Sequence, residues 1–296
     1  MTRFHVVGGT YVDEVYWVES EIDHDVSLTA SSREHTTGGP GACLALALAR
    51  LGTRVRLTTA LGDGEDTAAA VGLLEREGVA VSGARHPGPL DRSVTLVTPS
   101  LESVTVTHRS LPPLEARPPS LDAVDADTVV CSPTRLSSLG HPPRGRRLVL
   151  LPHLPQCHEL LGMDPARVRA LLSATHVLVA NEREHRLLEG LPGLDGIPVV
   201  AVTRGGRGST LYTRGETLQQ AALTDPGGVP RNPNGAGEAF AAALLVGLAS
   251  GEPPRTALRA AALHAGRHVT GRASLSFPGA GATDTTLRTE TEHVYG

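Results

Sequence analysis

Short apolar runs that stop at turns and hand over to helix-forming stretches constrain this chain most. Runs at residues 4–7, 55–60, 128–131, 148–151, 176–179 and 198–203 read as buried strands, and stretches at 44–51, 67–77, 239–249 and 254–269 read as helices. Strands alternating with helices predict a mostly parallel sheet covered on both faces. A second pattern interrupts the first. Residues 93–98 and 103–108 are β-rich runs joined by a four-residue link, and with 15–18 and 31–36 they predict a small, largely antiparallel sheet that covers a ligand.

Composition narrows the function. Aromatic residues make up 3% of the chain, so bases have few platforms to stack on, and a net charge of −4 gives no phosphate-backbone footprint. Nucleic acid is therefore excluded as a partner. No segment approaches the ~20 uninterrupted apolar residues of a spanning helix, which excludes a membrane role. The start of the chain reads as a strand instead of a signal peptide, and Cys43, Cys131 and Cys157 have no paired spacing, so a cytoplasmic protein is expected.

Two glycine-rich turns carry the chemistry. At Asn232-Pro233-Asn234-Gly235-Ala236-Gly237-Glu238 a proline-broken turn opens an alanine- and leucine-rich helix, whose unpaired N–H groups and positive dipole end form an anion hole. Glu238 follows in the first turn, where a carboxylate can take a proton from an attacking hydroxyl. The bland alternative is a helix start with a favourable acid. Gly38-Gly39-Pro40-Gly41-Ala42-Cys43 is a second glycine-rich helix start. Asp13 lies just past the first strand, at the edge where open α/β sheets place ligands. Asn181 and Glu184 have capping-box spacing, which is a sufficient structural reading by itself. His264 and His268 stand one helical turn apart without a third ligand, and no spacing supports a cluster of His153, Cys157 and His158.

Six motifs in order then carry a resemblance: Gly8-Gly9 with Asp13, Gly38-Gly39-Pro40-Gly41, Gly62-Asp63, Asn181-x-x-Glu184, Thr203-Arg204-Gly205-Gly206-x-Gly208 and Gly235-Ala236-Gly237-Glu238. Together the chain resembles the ribokinase-like, PfkB-type carbohydrate and nucleoside kinases over nearly its whole length. The resemblance implies a three-layer α/β/α sandwich with a mostly parallel central sheet and a small antiparallel lid. It implies one domain over 1–296, with lid strands inserted at about 11–37 and 91–110, and a homodimer formed through the lid. The implied reaction moves the γ-phosphoryl group of ATP, with Mg2+, to a hydroxyl of a sugar, nucleoside or related alcohol. On that model Asp13, Gly38, Gly39 and Cys43 line the acceptor site. Asn181, Thr203, Gly205, Gly208 and the helix of His264 lie along the nucleotide, and Glu184 organises magnesium through water. Gly235, Ala236 and Gly237 form the anion hole, and Glu238 is the base.

This chain departs from the resemblance at several points. The family almost always has aspartate at Glu238; the extra methylene moves the carboxylate by ~1.5 Å, and a misplacement of order 1 Å costs roughly 100-fold in rate. Asn232 replaces an acid that in many members helps hold a monovalent cation, which argues against potassium activation. Cys43 and Pro40 replace a common asparagine and a frequent lysine, so acceptor recognition is rebuilt. The alternative is a degenerate ligand-binding or regulatory protein on the same fold.

Overall fold

The computed structural model describes residues 2–115, 125–132, 134–139, 145–224, 228, 230 and 233–271. Asn232 and residues 116–124, part of a proline-rich stretch that the sequence reads as a connector, lie outside the described residues. Among the described residues nine strands form the main sheet: β1 (Arg3–Val7), β4 (Arg54–Thr58), β5 (Val79–Ser82), β8 (Thr128–Cys131), β9 (Arg147–Leu150), β10 (Val177–Asn181), β11 (Val199–Thr203), β12 (Ser209–Thr213) and β13 (Thr217–Gln220). Their spatial order is β13-β12-β11-β10-β9-β8-β1-β4-β5, parallel from β11 through to β5, with β12 and β13 added as an antiparallel edge.

Both faces of the sheet are buried, and the strands divide between two cores with a period of two. Val130, Val149, Val177, Val179 and Ala201 face one core with α1 (Pro40–Arg50), α6 (Ala236–Ala249) and α7 (Pro254–Val269). Their neighbours Val129, Cys131, Leu148, Leu150, Leu178, Val200 and Val202 face the other, with α3 (Leu154–Gly162), α4 (Pro165–Ala174) and α5 (Glu182–Leu188). Two buried faces need strands apolar at every position, which is why the sequence shows continuous short runs in place of alternation. The helix α2 (Glu65–Arg76) packs beside β5 at the sheet edge. The result is the three-layer α/β/α sandwich that the resemblance implies. Among the described residues no helix is long and apolar enough to cross a membrane.

The small sheet contains β2 (Tyr11–Val18), β3 (Ala30–Gly38), β6 (Asp91–Val97) and β7 (Ser103–His108) in the order β3-β2-β6-β7. Its two hairpin pairings are antiparallel, and the central β2–β6 pairing is parallel because the chain passes through the main sheet between them. At its root, Gly62 lies so close to residues 88–90 that a Cβ would sit 2.4 Å from the Gly88 carbonyl oxygen, and Asp63 Oδ1 accepts from the Gly88 amide at 3.0 Å. The Gly62-Asp63 motif thus anchors the strand leading into the lid.

Candidate active site

The lid, the start of α1, the start of α3 and the start of α6 enclose one cavity of about 250 Å³. Asp13, on β2, is 6% exposed. Its Oδ1 accepts from the Ser93 hydroxyl at 2.7 Å and its Oδ2 from the Gly39 amide at 3.2 Å. Burial pushes its pKa up, Ser93 and Gly39 oppose that shift, and the charge of Glu238 adds to it. Gly38 makes the arrangement possible, since a Cβ there would lie 1.9 Å from Asp13 Oδ2. Cys43 lines the same cavity. Burial, then Asp13 and Glu238, hold its thiol well above the ordinary range, so it acts as a small neutral wall.

The turn before α6 is built for close approach. Gly235 caps the helix in the left-handed region at φ 85°, where a side chain would be strained. The Ala236 amide closes the turn onto the Pro233 carbonyl at 3.2 Å, while no intrahelical carbonyl precedes the amides of Gly237 and Glu238. His268, fully buried on α7, pairs through Nε2 with the Asn234 carbonyl and fixes the turn from behind. Its ring is committed there, so the His264/His268 spacing makes no metal pair. Among the described residues, no group of three or more His, Cys, Asp or Glu side chains forms a metal cage.

Glu238 projects into the cavity with its side chain 13% exposed, and its Oε1 lies 3.6 Å from His153 Nε2. Sequence spacing missed His153. It occupies the N-cap of α3 directly after β9, and its amide donates to the Gln156 side chain at 3.2 Å. Histidine is not among the usual capping residues, so neither the helix start nor the approach to Glu238 was signalled. Cys157 is buried with its Sγ 3.9 Å from the Glu184 carbonyl, and His158 faces solvent, so the three residues form no cluster.

The second group of predicted residues lies at the ends of β10 and β11, where Asn181 pairs in register with Thr203. Asn181 Oδ1 accepts from the Glu184 amide at 2.9 Å, and Glu184 Oε2 accepts from the Asn181 amide at 2.8 Å. The capping box is therefore real, yet Glu184 remains a buried carboxylate. Burial raises its pKa, the Asn181 amide and His153 lower it, and Glu238 raises it again. The Gly205-Gly206-Arg207 turn links β11 to β12 in a hairpin, with Gly205 at φ 54° and Gly208 at φ 88°. Glu182, at the start of α5, pairs with Arg186 at 3.3 Å, Arg204 at 3.4 Å and Arg207 at 2.5 Å. These arginines, Arg207 foremost, hold its carboxyl below the usual range. His264 is half-buried on α7, which packs against β12 and β13.

The comparison with family models agrees with this geometry. Residues 1–98 and 160–275 match the model of the pfkB family carbohydrate kinases. The chain belongs to that family. Among solved structures, this pfkB member is similar to a ribokinase from Cryptococcus neoformans var. grubii in complex with ADP, at 22% identity and a TM-score of 0.74, with 91% of this chain and 94% of that one covered. It is similar to a nucleoside kinase of Methanocaldococcus jannaschii at 17% identity and a TM-score of 0.72, covering 91% and 92%. A Burkholderia thailandensis nucleoside kinase in complex with inosine matches at 21% identity and a TM-score of 0.72, covering 90% and 91%. At these identities the solved structures establish the ribokinase-like fold. No curated protein matches the sequence.

Proposed function

We propose that this pfkB-family chain transfers the γ-phosphoryl group of ATP to a hydroxyl of a small acceptor bound under the lid, with Glu238 as the base. One observation carries the reading: Asp13 and Glu238 line the same cavity as Asn234 and Gly235 of the turn that opens α6, and the first amides of such a helix start suit an anion. Asp13 would orient acceptor hydroxyls, held ready by Ser93 and Gly39. Glu238 would accept the proton of the attacking hydroxyl. The amides of Gly235 and Gly237 would face the transferred group, the Ala236 amide being turned toward Pro233. Such a division suits phosphoryl transfer, which depends on positioning and charge stabilisation.

His153 would hold the longer glutamate side chain in place, answering the geometric problem that the extra methylene creates. Asn181, Thr203, Gly205 and Gly208 would border the nucleotide, with His264 on the helix beyond. Magnesium fits the donor set: Mg2+ is usually held by one or two carboxylates, several waters and the substrate phosphates, and Glu184 would supply one buried carboxylate. When bound, the ion would neutralise phosphate charge. A degenerate binding protein is the second reading, favoured by the departures at Glu238, Asn232 and Cys43.

The test is release of ADP from ATP and magnesium across a panel of sugars, nucleosides and sugar acids. Acceptor-dependent ADP supports the kinase, and ligand binding without ADP release supports the second reading. We also assign the outer lid face to a homodimer contact, because Val94, Val104 and Val106 leave 39%, 49% and 66% of their surface exposed on adjacent strands. Sedimentation velocity showing only monomer at micromolar concentration would remove that assignment. The proposed location is the cytoplasm, which suits ATP use and three free cysteines.

A further inference from the structure

Arg109 follows β7 on the lid and lines both the acceptor cavity and a smaller cavity of about 20 Å³ beside it. Among the described residues it has no hydrogen-bonded or ion-paired carboxylate. The nearby acid does not take that part: Asp91 Oδ1 accepts from the Ser110 amide at 2.7 Å and the Leu111 amide at 2.9 Å. Tyr11 lines both cavities too, and the charge of Arg109 acts on its phenol. In the smaller cavity Thr10 is 2% exposed, and its hydroxyl has no hydrogen-bond partner among the described residues. An unspent guanidinium fork and an unspent buried hydroxyl thus border adjoining space. Thr105 and Thr107 of β7 extend the polar wall.

A neutral polyol needs no such group, since Asp13 and the hydroxyls of Ser93, Thr105 and Thr107 can exchange hydrogen bonds with its own. A guanidinium presents parallel N–H donors matched to a carboxylate or phosphate, and it pairs with either more strongly than with a neutral oxygen. We propose that the acceptor carries an anionic group, carboxylate or phosphate, which Arg109 binds from the lid while Asp13 holds the hydroxyl end. The inference rests on the kinase reading and names the acceptor class for the same cavity. It also assigns the lid a role in selection, because Arg109 follows its strand β7 and lines the cavity.

The experiment compares matched acceptors with ATP and magnesium: D-glucose, D-gluconate and D-glucose 6-phosphate, then D-fructose and D-fructose 1-phosphate. Wild type is set beside Arg109→Gln, which loses the charge, and Arg109→Lys, which keeps it without the fork. The expected result is a kcat/KM at least 10-fold higher for one anionic class than for its neutral partner. Arg109→Gln should shrink that preference by about 10- to 100-fold, mainly through KM, and Arg109→Lys should shrink it less. The carboxylate and phosphate arms distinguish the two sources of charge. ADP release that favours neutral acceptors, or a preference unmoved by Arg109→Gln, overturns the inference and leaves the kinase standing. If no acceptor releases ADP, the kinase reading fails, and calorimetry with the same compounds decides the rest: Arg109-dependent binding of the acids keeps the anion site, and equal binding overturns it.

Discussion

Substituting Gly38 by alanine tests whether Asp13 positions the acceptor. The backbone of Gly38 is not in the left-handed region, so alanine brings no conformational strain of that kind, and the effect must come from its Cβ. That atom would lie 1.9 Å from Asp13 Oδ2 and 2.6 Å from Cγ, whereas ordinary contact begins at 3.4 Å. The carboxylate oxygen must therefore retreat by about 1.5 Å, the difference between the first and last of those distances. Such a shift breaks the hydrogen bond that the Gly39 amide donates to Oδ2 and turns Oδ1 away from Ser93. Hydrogen bonds to a charged group contribute about 1.5–3 kcal/mol each, and partial relaxation leaves a cost of about 3 kcal/mol. For a chain of this length that lowers Tm by about 5 °C. Misplacing the acceptor by more than 1 Å should reduce its kcat/KM about 100-fold. The KM for ATP should stay within about twofold, because binding differences smaller than ~0.4 kcal/mol are expected away from the altered residue. The assay is steady-state ADP release with the best acceptor of the panel, beside a thermal melt. Acceptor kcat/KM within threefold of wild type would refute the role given to Asp13.

Two further perturbations follow from the same geometry. Replacing His153 by alanine leaves the Glu238 carboxylate without its neighbour 3.6 Å away; kcat should fall roughly 10-fold with the KM for ATP unchanged, and His153→Gln should recover part of the loss in the same assay. His5 is fully buried on β1, its Nε2 is 2.8 Å from Thr58 Oγ1, and burial, with Arg56 and Arg146, lowers its pKa from 6.5 to about 4. Between those values the unfolded chain binds the proton and the folded chain does not, so stability is complete above pH 6.5 and is lost as pH falls toward 4, by about 3 kcal/mol at most. Thermal melts from pH 7.5 to 5 should show that decline in wild type and a flatter profile in His5→Leu; equal slopes would remove His5 as its cause.

The parallel sheet was legible because strands buried on both faces must be apolar throughout, and the runs at 148–151 and 176–179 have no other use. Edge elements were not. The strand β13, Thr217–Gln220, is polar at the sheet margin, and β5 is a four-residue piece following a helix. Helix α4 begins with an ordinary signal, Asp164 accepting from the amides of Ala166 and Arg167, yet it went unread between two apolar stretches. The glycine motifs and Asp13 marked one side of the site because backbone approach demands particular residue types. His153 and Arg109 were silent, since each reaches the cavity through the tertiary path of β9 or β7, and the Gln156 side chain that holds the His153 amide says nothing of the approach to Glu238. Capping spacing located Asn181 and Glu184, although only the fold shows that Glu184 is buried and feels the charges of His153 and Glu238.

The central claim is that Glu238, despite its extra methylene, is the base of a phosphoryl-transfer site. Glu238→Gln keeps the shape and removes the charge, so calorimetry should give an ATP dissociation constant close to that of wild type. Single-turnover transfer to the acceptor should fall by about 100-fold or more, the contribution of a general base. Transfer at the wild-type rate by the glutamine variant, with ATP bound equally well, would contradict the account.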